Sequence, residues 1–206
     1  MPFSNHHPCK FEVKLPAPFG WKKMHSTEQL YMIRKALYFD DHDSCMKILN
    51  SKDAREAKHW GSNIKSFLDE IWMMPKRDVM KECLVRKFTD SEEHSQLTEI
   101  LKTAPRILVE ASPSDTYWGI GFSKEEGPYI NQCDWGNGEN WLGRLLMSLQ
   151  EFLLNLDSLD PNFDNEYQKI YRQVHRQQLF VYDKAQYSSL SKENIKPFRE
   201  FMSSNQ

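Results

Sequence analysis

Leucines at 142, 145, 146, 149, 153 and 156 recur at spacings of three and four, so Glu139 to Leu156 is predicted to be a helix with one apolar face. That face belongs to a core. Shorter helices are predicted over 26–39, 43–50, 53–60, 75–88 and 91–102, each bracketed by caps or turn residues. Asp53 is placed to open its helix and Gly61 to stop it, while Ser91 precedes two glutamates that suit the first turn of a helix dipole. Strand material is confined to Phe11–Lys14 and to Ile107–Glu110, a short apolar run that follows Pro105. The expected architecture is a compact, mostly α single domain over 1–155 with a few short strands. After it, LDSLDPNFDNEY is acidic and turn-forming, and 167–182 carries Tyr167, Ile170, Tyr171 and Val174 on one helical face. Residues 156–206 are therefore expected to be an accessory, partly helical C-terminal extension, either packed on the domain or a flexible appendage.

Length and charge narrow the function classes. A chain of 206 residues suits one domain with an appendage, and 39% hydrophobic with 27% charged residues excludes wholesale disorder. With 27 basic and 29 acidic residues the formal net charge is -2, so contact with nucleic acid must come from a local patch. The opening MPFSNHHPCKF has no apolar run of a secretory leader, and the most apolar stretch, 141–154, is broken by Arg144, Gln150 and Glu151. It falls short of the ~20 uninterrupted apolar residues of a membrane span. Cys9, Cys45, Cys83 and Cys133 form no CxxC pair and read as reduced thiols, which places the protein in the cytoplasm or nucleus. His6 and His7 lack a third ligand at metal-site spacing, so no metal is expected.

Three segments carry candidate chemistry. On the first helix Glu28, Tyr31, Lys35 and Phe39 share a face, with Glu28 and Lys35 two turns, about 10.5 Å, apart along the axis. Helical side chains lean toward the N-terminus, so Lys35 points back toward Glu28 across a gap that suits a small ring. A solvated face with both charges paired elsewhere is the alternative. In LVEASPSDTYWGIG, Glu110 is followed by a polar loop presenting Asp115, Tyr117, Trp118, Gly119 and Gly121, where glycines allow close approach of a ligand and an aromatic can stack on a base. Trp118 in a core and glycines in a plain turn are the alternative there. In GNGENWLG, Gly136, Gly138 and Asn140 lie at the entry to the leucine-rich helix, where free N–H groups can bind a phosphate or serve only as an N-cap. Trp60 and Trp72 read as core, and the mild basicity of RQVHRQ at 172–177 reads as an exposed helix face or a nucleic-acid guide. No GxSxG, GxxxxGK[ST] or HExxH occurs.

The order FSNHHP (3–8), STEQLYMIRKALYF (26–39), Trp72 with Met80 and Lys87-Phe88, LVEASPSDTYWGIG (108–121) and GNGENWLGRLLM (136–147) resembles the NADAR, or YbiA-like, family over about residues 3–155. The resemblance implies a compact, mostly helical fold and cleavage of N-glycosidic bonds to ribose. Its substrates are either ADP-ribose attached to guanine in nucleic acid or phosphorylated riboflavin-pathway intermediates. By position, Glu28, Lys35 and Asp115 are implied as catalytic, Glu28 as acid and Lys35 as a Schiff-base nucleophile. In the competing one-step route Glu28 activates water and Lys35 holds a phosphate or hydroxyl. Ser4, Asn5, Tyr31, Trp72, Trp118, Gly119, Gly121, Gly138 and Asn140 are implied as ligand-binding. The leading expectation is removal of ADP-ribose from modified guanine, with the modified nucleotide or nucleic acid as partner and ADP-ribose as product, by a monomer without cofactor or membrane. A non-catalytic ADP-ribose reader is the third reading. Gln29, His6-His7 and Gln150 depart from the family pattern, and Phe122–Trp135 is longer than in compact members.

Overall fold

The computed structural model describes residues 1–157, and side chains as far as 154. The expected extension over 156–206, its 167–182 helix and the basic RQVHRQ stretch lie outside the described residues, apart from the last residues of the leucine-rich helix. The chain starts with an antiparallel hairpin of β1 (Pro8–Leu15) and β2 (Gly20–Ser26), in which Phe11 faces Met24 and Val13 faces Lys22. Strict alternation in β1 turns Cys9, Phe11, Val13 and Leu15 inward, as a half-buried strand requires. β2 is a strand the hydropathy pattern does not announce, because only Met24 and Ser26 are buried while Trp21, Lys22 and Lys23 face out. Its pairing is set by the turn and by β1.

β2 runs directly into α1 (Thr27–Tyr38), whose first turn is capped by Ser26 Oγ accepting from the Gln29 N–H at 3.2 Å. α1 is the central helix, packed on α2 (His42–Leu49), α3 (Ala54–Gly61) and α5 (Lys76–Thr89), with Leu30, Ile33 and Ala36 fully buried. Its Arg34 forks onto Glu82 of α5 at 2.6 and 3.1 Å, a buried bidentate pair that fixes how the two helices meet. Gly61 does not stop α3; it is the last helical residue, and a Cβ there would stand 2.2 Å from Met32 Sδ. Close packing on α1 explains it. The short α4 (Asp69–Trp72) brings Trp72 into the core, and α6 (His94–Lys102) and α7 (Trp141–Asp157) close the far side.

Two expectations are corrected. Ser91 does not open α6: its hydroxyl bonds the Lys87 carbonyl and the helix begins at His94. Glu92 and Glu93 reach the hairpin instead, Glu92 pairing with Lys23 at 2.5 Å and Glu93 accepting from the Lys10 N–H. Residues 107–110 are extended but unpaired with any strand. The Asn140 side-chain amide takes the strand's place, accepting from the Glu110 N–H and donating to the Leu108 carbonyl, both at 2.9 Å. Leu108 is buried in this segment, and one side chain supplies both backbone bonds beside it. In α7, Leu142, Leu146, Leu149 and Leu153 are buried as the spacing predicts, and no helix among the described residues is long and apolar enough to cross a membrane.

Candidate active site

One wall of the site is regular structure. The N-terminal turn at Ser4 and Asn5 is tied to α1 by the Glu28 N–H donating to the Asn5 carbonyl at 3.1 Å. From below, Lys87 of α5 donates to the Ser4 carbonyl at 2.8 Å. Lys87 is fully buried, and burial pushes its amine down to about 8. A lysine placed there at such cost braces the loop. Asn5 donates to Met80 Sδ at 3.3 Å, and its Oδ1 is buried without a partner among the described residues.

The other wall is irregular. Asp115 accepts from the N–H groups of Tyr117 and Trp118, at 3.1 and 2.8 Å, and so folds its own loop into a turn. The carbonyls of residues 116–119 then receive the N–H groups of Glu139, Asn140, Trp141 and Leu142, at 2.7 to 3.1 Å. The start of α7 is thereby capped by the chain itself. Of the two readings of GNGENWLG this favours the N-cap, since the N–H groups of residues 138–142 are bonded within the chain; Gly138 is required by close approach, because a Cβ would meet the Ile120 carbonyl at 2.3 Å.

Between the walls lies a cavity of about 280 Å³. Of the residues picked out in the sequence it brings together Ser4, Asn5, Glu28, Tyr31, Lys35, Trp72, Asp115 and Trp118. Gly119, Gly121, Gly138 and Asn140 do not line it; they shape the loop behind it. It adds Glu110, Lys58, Lys76, Asp69, Phe67 and His6, which the motifs did not single out as site residues. Tyr31 stacks edge-on against Trp72 and Trp118 and accepts from Trp72 Nε1 at 3.0 Å, so the aromatic lining is held rigid.

Charge inside the cavity is strongly perturbed. Glu28 is 5% exposed and its carboxyl makes no hydrogen bond to another described side chain. Burial pushes it up to about 7; Glu110 and Asp115 add to the rise, while Lys58 and Lys35 oppose it. Burial likewise raises Glu110, with Asp115 adding to the shift. Lys35 is half-buried, donates to the Gly61 carbonyl at 3.1 Å and lies 3.8 Å from the centre of the Phe67 ring. Burial holds its ammonium below the ordinary lysine range, against the pull of Asp69 and Glu28. His6 Nε2 stands 3.9 Å from Glu28, but burial and Lys58 keep His6 low while Glu28 is held high. Both shifts weaken an ion pair between the two. Among the described residues no cluster of three metal-type ligands occurs.

A helix face offering a carboxyl held near 7 and a partly desolvated amine to an aromatic cavity has the groups that acid and nucleophilic catalysis need. The NADAR domain matches residues 1–154, and the chain belongs to the NADAR family. It is 35% identical to N-glycosidase R617 of Acanthamoeba polyphaga mimivirus over 149 residues, 72% of this chain and 85% of that one. It is 30% identical to the chloroplastic riboflavin biosynthesis protein PYRR of Zea mays over 163 residues, 74% of this chain but 23% of that protein. The solution structure of the E. coli protein YbiA superposes with a TM-score of 0.56 at 28% identity, covering 80% of this chain and 83% of YbiA. The family and its named relatives support an N-glycosidase.

Proposed function

We propose that the protein is an N-glycosidase that removes ADP-ribose from ADP-ribosylated guanine, with Glu28 as general acid and Lys35 as nucleophile. The observation that carries this reading is the buried Glu28 carboxyl on the same cavity-facing stripe of α1 as Lys35. Held near 7, Glu28 is substantially protonated at neutral pH and can give its proton to the departing base nitrogen as the C1′–N bond breaks. The Lys35 amine forms a bond to C1′ as the base leaves. The ribose ring oxygen then departs from C1′, taking one proton from the lysine nitrogen, and leaves a protonated imine. Water adds to that protonated imine and releases the sugar aldehyde and the free amine, while the remaining proton returns to the Glu28 carboxylate. Glu110 and Asp115 supply negative charge that steadies the cationic carbon in transit.

At about 280 Å³ the cavity lies just below the ~300–1,000 Å³ that encloses a drug-sized ligand, so it takes in the ribose and the reacting bond while the rest of the substrate lies over its rim. A second reading has its own support in the likeness to PYRR: cleavage of a phosphorylated riboflavin precursor. That match spans 23% of PYRR, and what the rest of PYRR contributes is not carried by this alignment. Turnover of an ADP-ribosylated guanine oligonucleotide, measured beside a phosphoribosylamino-pyrimidine, separates the two. The proposal expects release of unmodified guanine strand; turnover of the pyrimidine alone overturns it.

A further inference from the structure

An aromatic path leads out of the cavity. Trp118, which lines it, meets Tyr117 edge-on at 5.0 Å between ring centres, and Tyr117 lies at 6.4 Å from Trp141 with the planes tilted by 33°. At the outer end two guanidinium groups sit over the Trp141 indole, Arg77 of α5 at 4.3 Å and Arg144 of α7 at 5.3 Å. Both arginines are exposed, and neither has an ion pair or a side-chain hydrogen bond among the described residues. Lys76 continues the series inward, with its ammonium 3.2 Å from the Tyr117 ring centre while it also lines the cavity.

Two like charges gathered on one ring repel, and a shared anion relieves that. Stacking an arginine on an aromatic face fixes its plane but leaves the N–H edge free, which is the part that grips a phosphate. The surroundings are not a basic field: Asp78 shares the first turn of α5, and Glu139 accepts from the Trp141 indole N–H. With a chain net charge of -2, attraction must be local and made of few contacts. Bases stack on exposed aromatics next to such contacts irrespective of their sequence.

We propose that Arg77 and Arg144, stacked on Trp141, form a phosphodiester-binding site that holds a nucleic-acid strand beside the cavity, so that a base attached to that strand is presented to Glu28. The inference rests on the proposed N-glycosidase reading, and it answers where the part of the substrate left outside the cavity goes. Its ligand is the internucleotide phosphate. The pyrophosphate of the ADP-ribosyl group is the competing source of the same chemistry.

The test uses the full chain and an unmodified, fluorescein-labelled 12-nucleotide single strand, so that no catalysis is needed. Wild type is expected to bind it with an affinity that falls as salt rises, and R77Q/R144Q to bind at least fivefold more weakly with a salt slope smaller by about one to two. R77K/R144K keeps the charges and is expected to restore most of the slope. ADP-ribose binding, followed by calorimetry, is expected to be unchanged in R77Q/R144Q, which also shows that the variant is folded. Equal strand binding by wild type and R77Q/R144Q, no strand binding by wild type at 20 mM salt, or a matching loss of ADP-ribose affinity would each overturn the proposal. Failure of the N-glycosidase reading would show separately, as absent turnover with strand binding intact.

Discussion

The two walls of the cavity are built on different principles. The α1 wall carries Glu28 and Lys35 on a helix that is buried nearly all round and locked to α5 by Arg34 and Glu82. The opposite wall, from Glu110 to Asn140, contains only two short 3-10 turns, at Gly127–Tyr129 and Gln132–Asp134, and is held by caps and backbone bonds to the start of α7. Groups that must be desolvated to change their proton affinity need the first kind of support, since the backbone of a helix is paired with itself and the first-turn Glu28 N–H is taken up by the Asn5 carbonyl. Groups that only contact the substrate can ride on the second.

The largest effect is expected from the helical wall. Lys35→Ala should lower kcat by at least ~10³-fold with the fold unchanged, read by single-turnover release of the base. Glu28→Gln should lower kcat by ~10²–10⁴-fold, the usual range for a general acid. Its stability effect has the opposite sign. The folded carboxyl is raised from an ordinary 4.5 to about 7, so the stability it confers is full below about 4.5 and is lost as pH rises through about 7. Glu28→Gln should therefore melt higher than wild type at pH 8, with the difference vanishing toward pH 4.5. In wild type, kcat should fall as pH rises above about 7, where the acid loses its proton, and Glu28→Gln should abolish that limb.

The loop wall should break differently. Asn140→Ala removes both bonds that stand in for a neighbouring strand and leaves the Leu108 carbonyl and Glu110 N–H unpaired, a cost of about 2–4 kcal/mol by denaturant titration. It should raise KM more than it lowers kcat, because the loop's ligand contacts loosen while α1 is untouched. The smallest effect is expected from Lys87→Met. Removing a buried amine whose proton affinity is depressed relieves a desolvation cost present below about pH 8, while the Ser4 carbonyl loses its donor. Stability should change by no more than about 1 kcal/mol while activity drops severalfold, seen as a kcat loss without a change in melting temperature.

The same contrast governs what could be read from the sequence. α1 is legible because a cap, a period of 3.6 and charged residues on one face all point the same way. α7 is legible from leucines alone. β2 is not, since a strand whose inward side is mostly a methionine and a serine has no alternation to show. The glycines of the 108–143 region fit a ligand-facing loop or a plain turn equally well in sequence, and Gly119 and Gly138 are small because the loop backbone crosses itself there. Gln29 and Gln150, departures from the family pattern, are buried ties: Gln29 bonds the carbonyls of Ile48 and Leu49, and Gln150 those of Leu101 and Ala104. Lys87 carries a signal in the sequence beyond its place in the family motif. It continues the buried stripe of Met80, Cys83 and Leu84 on α5, and a lysine on an apolar stripe is there for a bond.

The most direct test of Glu28 and Lys35 acting as acid and nucleophile is reductive trapping during turnover. Borohydride added while the protein cleaves an ADP-ribosylated guanine oligonucleotide should yield a sugar adduct on the peptide carrying Lys35, found by mass, alongside free guanine strand. Release of the strand with no adduct on Lys35 would contradict the covalent route and leave water as the attacking group.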